Sequence, residues 1–343
     1  MGTTYTVKVV TQRLDPEDQK EIQSLIGSEL RTVDEKMSTY REESEVSRFN
    51  RWRTTAPFRV SPETFTVFQE AQEVSELTGG AFDVTVGPLV NAWGFGPAPR
   101  RPEAPSEREI AELVEHVGYK KLHLDPVAMT LLKKDPLLGC DLSAIAEGYA
   151  IDRVADALEA RQIFDYMVEV GGEVRSGGRN QDGHPWRIAI ERPSTGDGGF
   201  LHIVALSGGA LATSGDYRNY YERNGVRVAH EIDPRTGHPA AHRLASVSVV
   251  ADRCMRADAL ATAFMVLGAE EGYLLASEKN WAVLFLTRKQ GGGFEERRTP
   301  AFERFLGGDA ETLYNGVRHG ALPAGEFDHR RRHAGDGGRG DLQ

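Results

Sequence analysis

Cysteine is scarce in this sequence: the 343 residues contain only Cys140 and Cys254. Two isolated cysteines lack the spacing of a structural zinc site and are too few for a disulfide framework. Two buried thiols are the simpler interpretation, because free cysteine is among the most buried residue types. A single disulfide is the alternative, so cysteine usage leaves the compartment of the protein open.

Long hydrophobic runs are also missing. No stretch of about 18 apolar residues occurs, so the sequence predicts no membrane span. The first residues, MGTTYTVKVV, enter an alternating strand pattern at once, without the basic and apolar regions of a signal peptide. We therefore expect either a cytoplasmic protein or the mature portion of a periplasmic or membrane-anchored one from which a leader was removed.

Positive charge is in deficit, since 41 Lys and Arg face 51 Asp and Glu, and the formal net charge is -10. A nucleic-acid-binding surface needs a basic stripe, so the balance of charge argues against nucleic acid as a partner. An anionic small molecule would need local help, from a metal ion or from helix N-termini.

Helix and strand patterns are grouped along the chain rather than strictly alternating. Helix start signals occur at three places, Asp15-Pro16, Ser61-Pro62 and Ser106. Apolar residues at helical spacing also cover residues 145–158, 257–267 and 269–278, whereas strand patterns dominate residues 166–251 and return at 281–287. This grouping favours an α+β fold over a doubly wound parallel sheet.

The chain is expected to form one large domain over residues 1–306, followed by an extension over residues 307–343. The last clear apolar cluster is formed by Phe302, Phe305 and Leu306. The end of the chain, DHRRRHAGDGGRGDLQ, is rich in Gly and Arg and has almost nothing to bury. It predicts a disordered tail from about residue 328.

A carboxylate interrupts the apolar helical pattern ADALATAFMVLG, residues 257–268. Helical spacing places Asp258, Ala261 and Thr262 on one face. Asp258 offers a carboxylate, Thr262 a hydroxyl and Ala261 only its backbone carbonyl. All three are hard oxygen donors that suit Mg²⁺ or Ca²⁺. The alternative is that Asp258 only complements the dipole of the helix in its first turn.

A second segment of similar character is DLSAIAEGYAID, residues 141–152. Asp141 lies beside a predicted helix start, and small residues follow it, which lets a ligand or another backbone approach closely. A helix N-terminus also attracts anions. The alternatives are that Asp141 is a simple N-cap in a tightly packed helix and that Glu147 faces solvent.

The segment TGGAFDVTVGPLVNAWGFGP, residues 78–97, combines glycines, an acid and aromatic residues. Residues Ala81, Phe82 and Asp83 precede a short predicted strand, and a loop with Trp93 follows. This mixture suits a flat aromatic ligand packed against backbone, whereas an ordinary hairpin with a turn is the alternative.

Histidine 230 begins the segment HEIDPRTGHP, residues 230–239, in which Asp233-Pro234 and Thr236-Gly237 are ordinary turn residues. A histidine at a strand end, near other polar residues, is a candidate general base, although a structural histidine is the alternative. The segment GGEVRSGG, residues 171–178, lacks the Gly-Lys-Ser/Thr ending of a phosphate loop and predicts a glycine-rich hairpin.

Together, these segments resemble the FAD:protein FMN transferase family, the ApbE-type flavin transferases. The resemblance rests on several motifs in the order of the family: MGTTY, MSTY, GGAFDVTVGPLVNAWGFGP, DLSAIAEGYAID, VEVGGEVRSGG, HEIDPRTGHP and ADALATAFMVLG. It extends from residue 1 to about 306. It implies an ApbE-like α+β fold, with mixed or antiparallel sheets and packed helices.

The resemblance also implies a reaction. Members of the family cleave FAD with the help of Mg²⁺, for which Mn²⁺ or Ca²⁺ are alternatives. They attach FMN through its phosphate to a Thr or Ser hydroxyl of a target flavoprotein, such as a subunit of a redox-driven ion pump or an electron-transfer protein, and release AMP. The alternatives are a metal-dependent FAD pyrophosphatase, which yields FMN and AMP, and a non-catalytic flavin-binding protein.

Positions carried over from the family define the expected site. The FAD contacts would be Met1, Tyr40, Ala81, Phe82, Asp83, Asp141, Glu147 and Ile232. The metal ligands would be Asp258, Thr262, Ala261 and Ala144, the last through its carbonyl. Glu147 stands where many members have lysine. We expect Asp258 to act in catalysis through the metal and His230 to deprotonate the acceptor hydroxyl.

Overall fold

The fold begins with a strand of the large sheet, and helices follow it. The computed structural model describes residues 2–11, 15–100, 103–193, 199–217, 220–223, 226–306 and 327–328. The helices are α1 (Pro16–Met37), α2 (Glu45–Arg51), α3 (Pro62–Leu77), α4 (Gly87–Ala92), α5 (Glu107–Val114), α6 (Ser143–Glu159) and α7 (Cys254–Glu278). The predicted extension over residues 307–343, and its disordered tail, lie outside the described residues except for residues 327 and 328.

The strands fall into one large sheet and three small ones. They are β1 (Tyr5–Val9), β2 (Phe58–Arg59), β3 (Leu122–Asp125), β4 (Thr130–Lys133), β5 (Tyr166–Val170), β6 (Glu173–Gly177), β7 (Trp186–Glu191), β8 (Phe200–Leu206), β9 (Gly208–Gly215), β10 (Tyr220–Arg223), β11 (Val226–Ala229), β12 (Leu244–Ala251), β13 (Ala282–Arg288), β14 (Phe294–Arg298) and β15 (Phe327–Asp328). The hairpin predicted at residues 171–178 is confirmed, because β5 and β6 pair antiparallel across Gly171 and Gly172.

The large sheet has the order β14-β13-β12-β9-β6-β5-β1-β15, and all of its neighbouring strands run antiparallel. Helices α1, α6 and α7 contribute to the larger core on one face. The β7–β8 hairpin covers part of the other face with a smaller core that includes Ile188, Val204 and Leu284. The predicted α+β class with antiparallel sheets is thus confirmed.

The predicted helix starts coincide with N-caps. The Asp15 carboxylate accepts hydrogen bonds from the amides of Glu17 and Asp18, at 2.8 and 2.9 Å. Ser61 and Ser106 accept from the amides three residues further on. Each cap satisfies amides that have no partner inside the helix, which explains why these helices begin where they do.

Helix α7 forms the centre of the core. It begins at Cys254, before the predicted start, and it bends at Gly268, where φ is 79°. The two predicted helices are therefore two halves of one bent helix. Among the described helices, α7 alone is long and apolar enough to cross a membrane, but 61% of its apolar window is buried inside the protein, as in a core helix.

The strand expected after Asp83 is wrong. Residues 84–86 form turns and a single bridge between Val86 and Gly139, because the Asp83 carboxylate accepts hydrogen bonds from the amide and hydroxyl of Thr85 and folds the chain locally. The short helices α2 and α4 were not predicted. Both cysteines are free and buried, so the simpler interpretation of two thiols is confirmed.

One buried cation is unusual in this core. Lys133, at the end of β4, is fully buried, and its Nζ donates a hydrogen bond to the carbonyl of Asn50 at 3.3 Å. The Nζ also lies 4.6 Å from the centre of the Phe49 ring. Burial lowers the pKa of Lys133 from 10.5 to about 8, because a charged ammonium loses its hydration there.

We expect Lys133→Met to stabilise the protein at pH 7 by about 1–3 kcal/mol, because it removes a buried charge and keeps its volume. Between pH 8 and 10.5 the unfolded chain binds this proton and the folded chain does not, so the stability of the wild type rises with pH. The advantage of the variant should therefore shrink over this range. Urea unfolding at several pH values measures the difference in free energy of unfolding between variant and wild type, with Lys134→Met, at an exposed position, as the control. An equal difference at pH 7 and pH 10.5 would show that a buried charge is not its cause.

Candidate functional site

The site is built on the crossing of α6 and α7. A Cβ on Gly148 would lie 2.5 Å from the carbonyl oxygen of Cys254, so only glycine allows the two helices to approach this closely. The Asp152 carboxylate, which is fully buried, accepts hydrogen bonds from the amides of Cys254 and Met255, both at 3.0 Å. Asp152 thereby caps α7 from α6 and fixes the crossing.

The Asp258 carboxylate lies inside this crossing. Residue Asp258 is 6% exposed, and its Oδ2 accepts a hydrogen bond from the Gly148 amide at 3.0 Å. Burial and the charges of Glu173 and Glu147 raise its pKa well above the usual range. One amide donor replaces only part of the hydration that the buried carboxylate loses. A positive charge beside Asp258 would therefore lower the free-energy cost of burying it.

The backbone of α6 is distorted on the side that faces Asp258. Ala144 has φ −86° and ψ 15°, which bends the first turn of α6. In a regular helix its carbonyl would accept from the Gly148 amide, but that amide donates to Asp258. The distorted residue therefore lies one helical turn before the amide that contacts Asp258.

One turn further along α7, the Thr262 hydroxyl lies 3.3 Å from the hydroxyl of Ser214 on β9. Ala261, which precedes Thr262 in the chain, is fully buried. Its side chain has no polar atom, so its backbone carbonyl is the only oxygen that it could offer to a ligand. A carboxylate, a hydroxyl and backbone carbonyls make a hard oxygen donor set, which fits Mg²⁺ or Ca²⁺.

Two further carboxylates stand near this donor set. A Cβ on Gly171 would meet Glu147 Oε2 at 2.6 Å and Glu173 Oε2 at 3.2 Å, so the two side chains converge at the β5–β6 turn. Burial raises the pKa of Glu147. Nowhere in the described ranges do three or more His, Cys, Asp or Glu side chains form a metal-binding group on their own. A metal ion at this crossing would thus depend on backbone and hydroxyl oxygens.

The loop around residues 81–86 supports the start of α6. The Asp83 carboxylate also accepts from the amide of Tyr119, at 2.6 Å, and Ala81, Phe82 and Asp83 are all buried. The amide of Asp141 donates to the carbonyl of Val84 at 2.8 Å. Asp83 therefore shapes the loop on which Asp141 is placed, and its carboxylate oxygens are already hydrogen-bonded there.

A cleft of 670 Å³ opens beside Asp141. Its walls come from the segments around α2, α4 and α5 and the residues before α6, and include Thr39, Asn50, Arg53, Asn91, His116 and Asp141. This volume suits a ligand of the size of a nucleotide. The predicted contact Tyr40 adjoins the same cleft through Thr39.

Aromatic side chains form an exposed surface next to His230. Tyr40 is 70% exposed, and its hydroxyl donates to the carbonyl of Phe95 at 3.4 Å. The Phe95 ring lies 5.3 Å from the ring of Tyr221 and 6.2 Å from that of His230. The Arg100 guanidinium lies 4.3 Å from the Tyr221 ring. Such a surface offers stacking contacts to a flat ligand.

The segment that carries His230 is held firmly. Ile232, which is 5% exposed, packs with Leu89, and the Trp93 indole donates to the carbonyl of Gly237 at 2.8 Å. Ile232 is thus part of a small core, and the half-buried imidazole of His230 has a fixed backbone.

The helix crossing and the histidine meet at one end of β9. Ser214 contacts Thr262, and Asp216, two residues further on, acts electrostatically on Glu231, the neighbour of His230. Strand residues rise about 3.3 Å each, so Ser214 and Asp216 are two such steps apart. The end of β9 therefore contacts Thr262 and lies near Glu231, the neighbour of His230.

The structure places the predicted site residues in several neighbouring settings. Asp258, Thr262 and Glu147 lie at or beside α7, Asp141 lines the cleft, and Tyr40 and His230 lie beside Phe95. Ala144 lies in the distorted first turn of α6, and the buried residues are Ala261, Ala81, Phe82, Asp83 and Ile232. Met1 lies outside the described residues. The sequence reasoning gave no role to Gly148, Asp152, Glu173, Ser214 and Glu231, although all of these except Ser214 stand in segments that had drawn attention.

Comparison with known sequences finds relatives over most of the chain. The ApbE family matches residues 1–285 of the chain. The FAD:protein FMN transferase of Vibrio cholerae serotype O1 is 47% identical over 306 residues, which cover 89% of this chain and 90% of that protein. The FAD:protein FMN transferase of Escherichia coli K12 is 37% identical and covers 89% of this chain and 87% of that protein.

Solved structures agree as well. The flavin transferase ApbE from Vibrio cholerae has a TM-score of 0.81 at 45% identity, covering 89% of this chain and 96% of that one. The flavinyl transferase ApbE of Pseudomonas stutzeri, in its apo form, has a TM-score of 0.82 at 39% identity, covering 90% and 95%. The family match over residues 1–285 includes both helices of the crossing and His230, and the chain belongs to the ApbE family.

Proposed function

We propose that this protein is an FAD:protein FMN transferase. The observation that carries the proposal is the buried Asp258 carboxylate, which shares one face of α7 with Thr262 and accepts from the Gly148 amide, one turn after the distorted Ala144. A protein that only stores flavin has no need for such a donor set. The choice of FAD as substrate and FMN as the transferred group follows the related proteins, which are named FAD:protein FMN transferases.

The residues present fit Mg²⁺, with Mn²⁺ or Ca²⁺ as alternatives. Asp258 and Thr262 would hold the ion with the carbonyls of Ala144 and Ala261, close to the pyrophosphate of FAD. A bound divalent ion supplies charge neutralisation on the phosphates, which a protein of net charge -10 otherwise lacks. Glu147 and Asp141 would stand at the edges of the same pocket.

In the proposed reaction, the hydroxyl oxygen of a Thr or Ser on the acceptor flavoprotein attacks the FMN phosphorus. His230 takes the proton of that hydroxyl, the new O–P bond forms, and the bond to the AMP phosphate breaks. Tyr40 and the neighbouring aromatic surface orient the flavin or adenine ring. Phosphoryl transfer depends mostly on positioning and electrostatics, so few catalytic side chains are required.

The test is to incubate the protein with FAD, Mg²⁺ and an acceptor flavoprotein domain that carries an acceptor threonine, and to measure the intact mass of the acceptor. A gain of the mass of FMN less one water molecule, lost when the threonine is replaced by valine, supports transfer. Free FMN and AMP with an unchanged acceptor would identify a pyrophosphatase instead. Binding of FAD without either reaction would identify a flavin-binding protein.

A further inference from the structure

Glu231 is the most anomalous buried polar group outside the helix crossing. The residue is 5% exposed, and neither of its carboxylate oxygens has a hydrogen-bond partner among the described residues. Burial raises the pKa of this carboxyl. A carboxyl that is buried without hydrogen bonds is costly, so a purely structural position would favour an apolar residue.

The charged groups around Glu231 come from three elements. His230 precedes it in the chain, Asp216 follows β9, and Arg288 ends β13. The two guanidinium nitrogens of Arg288 donate to the two carboxylate oxygens of Asp216, at 2.5 and 2.6 Å. Since Arg288 is paired with Asp216, the nearest group able to carry a positive charge beside Glu231, among the residues that the structure describes, is His230, whose Nδ1 lies 3.4 Å from Oε2.

The pair is asymmetric in its exposure. The Glu231 side chain is 3% exposed and the His230 side chain is 35% exposed. The carboxylate therefore stands behind the imidazole, and the imidazole separates it from the aromatic surface of Tyr40 and Phe95. A buried acid behind a more exposed histidine is the arrangement in which the acid fixes the ring and its tautomer.

We propose that Glu231 is a positioning residue for His230, a proposal that rests on the transferase function: its carboxylate, 3.4 Å from Nδ1, favours the proton on that nitrogen through its charge rather than through a hydrogen bond and leaves Nε2 to act as the base. When the acceptor hydroxyl attacks phosphorus, its proton moves to Nε2. The imidazolium that forms is stabilised by the Glu231 carboxylate, and the electron pair of the broken P–O bond leaves with AMP.

A second histidine–glutamate pair provides the matched control. His238 Nε2 and Glu107 Oε2 are also 3.4 Å apart, but the Glu107 side chain is 85% exposed. Water screens an exposed pair, so Glu107 has little influence on the tautomer of its histidine. Glu231→Gln and Glu107→Gln make the same chemical change at the same distance, one buried and one exposed.

The direct test is ¹⁵N NMR of the histidine side chains in the full-length protein without substrates. We expect His230 to carry its proton on Nδ1 in the wild type and in Glu107→Gln, and to change tautomer in Glu231→Gln. A proton on Nε2 in the wild type overturns the proposal, and this result needs no variant to fold and no activity. Thermal unfolding of Glu231→Gln establishes that its fold is retained.

The kinetic test uses FMN transfer to the acceptor domain. We expect Glu231→Gln to lower kcat by about 10²-fold with an unchanged KM for FAD, and to move the acid limb of the pH–rate profile to lower pH, because the imidazolium loses its stabilising carboxylate. In a His230→Gln background the same change should have almost no further effect, since residues that act as a unit are not additive. If the wild type transfers FMN and Glu231→Gln has the same rate and pH profile as Glu107→Gln, the proposal for Glu231 is overturned. If the wild type transfers no FMN, the proposed function is overturned instead.

Discussion

Replacing Asp258 by Asn should lower FMN transfer by about 10³-fold or more, because a metal ion typically contributes several kcal/mol to stabilising the transition state. Asn keeps the volume of the side chain and the acceptor for the Gly148 amide, but loses the charge that would hold a divalent cation. The initial rate of the mass gain on the acceptor, measured against Mg²⁺ concentration, provides the number.

The fold of Asp258→Asn should be retained. The wild-type carboxylate is buried near Glu147 and Glu173, so in the absence of metal the neutral variant should unfold at the same or a higher temperature. Addition of Mg²⁺ with FAD should stabilise the wild type and not the variant. Glu270→Gln, on the exposed side of α7, is the matched control and should keep full activity. Global unfolding of Asp258→Asn would instead assign the carboxylate a structural role.

Replacing His230 by Gln should lower kcat for transfer by about 10²–10⁴-fold, the usual contribution of a general base. Binding of FAD, followed by the quenching of flavin fluorescence, should be almost unchanged, because Tyr40, Asp141 and the cleft remain in place. The separation of kcat from FAD affinity distinguishes a base from a residue that only binds ligand.

His238→Gln is the control for this change, because it lies in the same segment and its side chain is 42% exposed. Transfer by that variant should remain close to the wild-type rate. If His230→Gln also transferred FMN at a near-normal rate, another group would have to accept the proton of the acceptor hydroxyl, and the assignment of His230 would fail.

The part of the site that lies on one helix was predictable from the sequence. Helical spacing alone places Asp258 and Thr262 on one face, and the structure places Asp258 against α6 and Thr262 against β9. The helix starts at Asp15, Ser61 and Ser106 were predictable for the same reason, since a cap depends on residues only two or three positions apart.

Residues that act across the fold were not predictable. Gly148 is required by the carbonyl of Cys254, and Ser214 matters through Thr262 on another element. These relations depend on the strand order of the large sheet, which places β9 between β6 and β12. Asp83 shows that a local contact can also defeat a prediction. The residues after it have a pattern typical of a strand, but its hydrogen bonds to Thr85 fold them into a turn.

Glu231 was overlooked for a different reason. It stands in a segment of ordinary turn residues, where an acid draws no attention. Its burial becomes apparent only when the segment is seen to pack against the ends of β9 and β13, beside Asp216 and Arg288. The environment of a side chain, rather than its identity, made this residue a candidate.

The central claim is that a divalent cation is held at the crossing of α6 and α7. The most direct measurement is an anomalous difference map from crystals grown with FAD and Mn²⁺. The account predicts a peak within coordination distance, about 2 Å, of Asp258, Thr262 and the Ala144 carbonyl, next to the pyrophosphate. Bound FAD without a peak at this position, or a peak held only by Glu147 and Glu173, would contradict it.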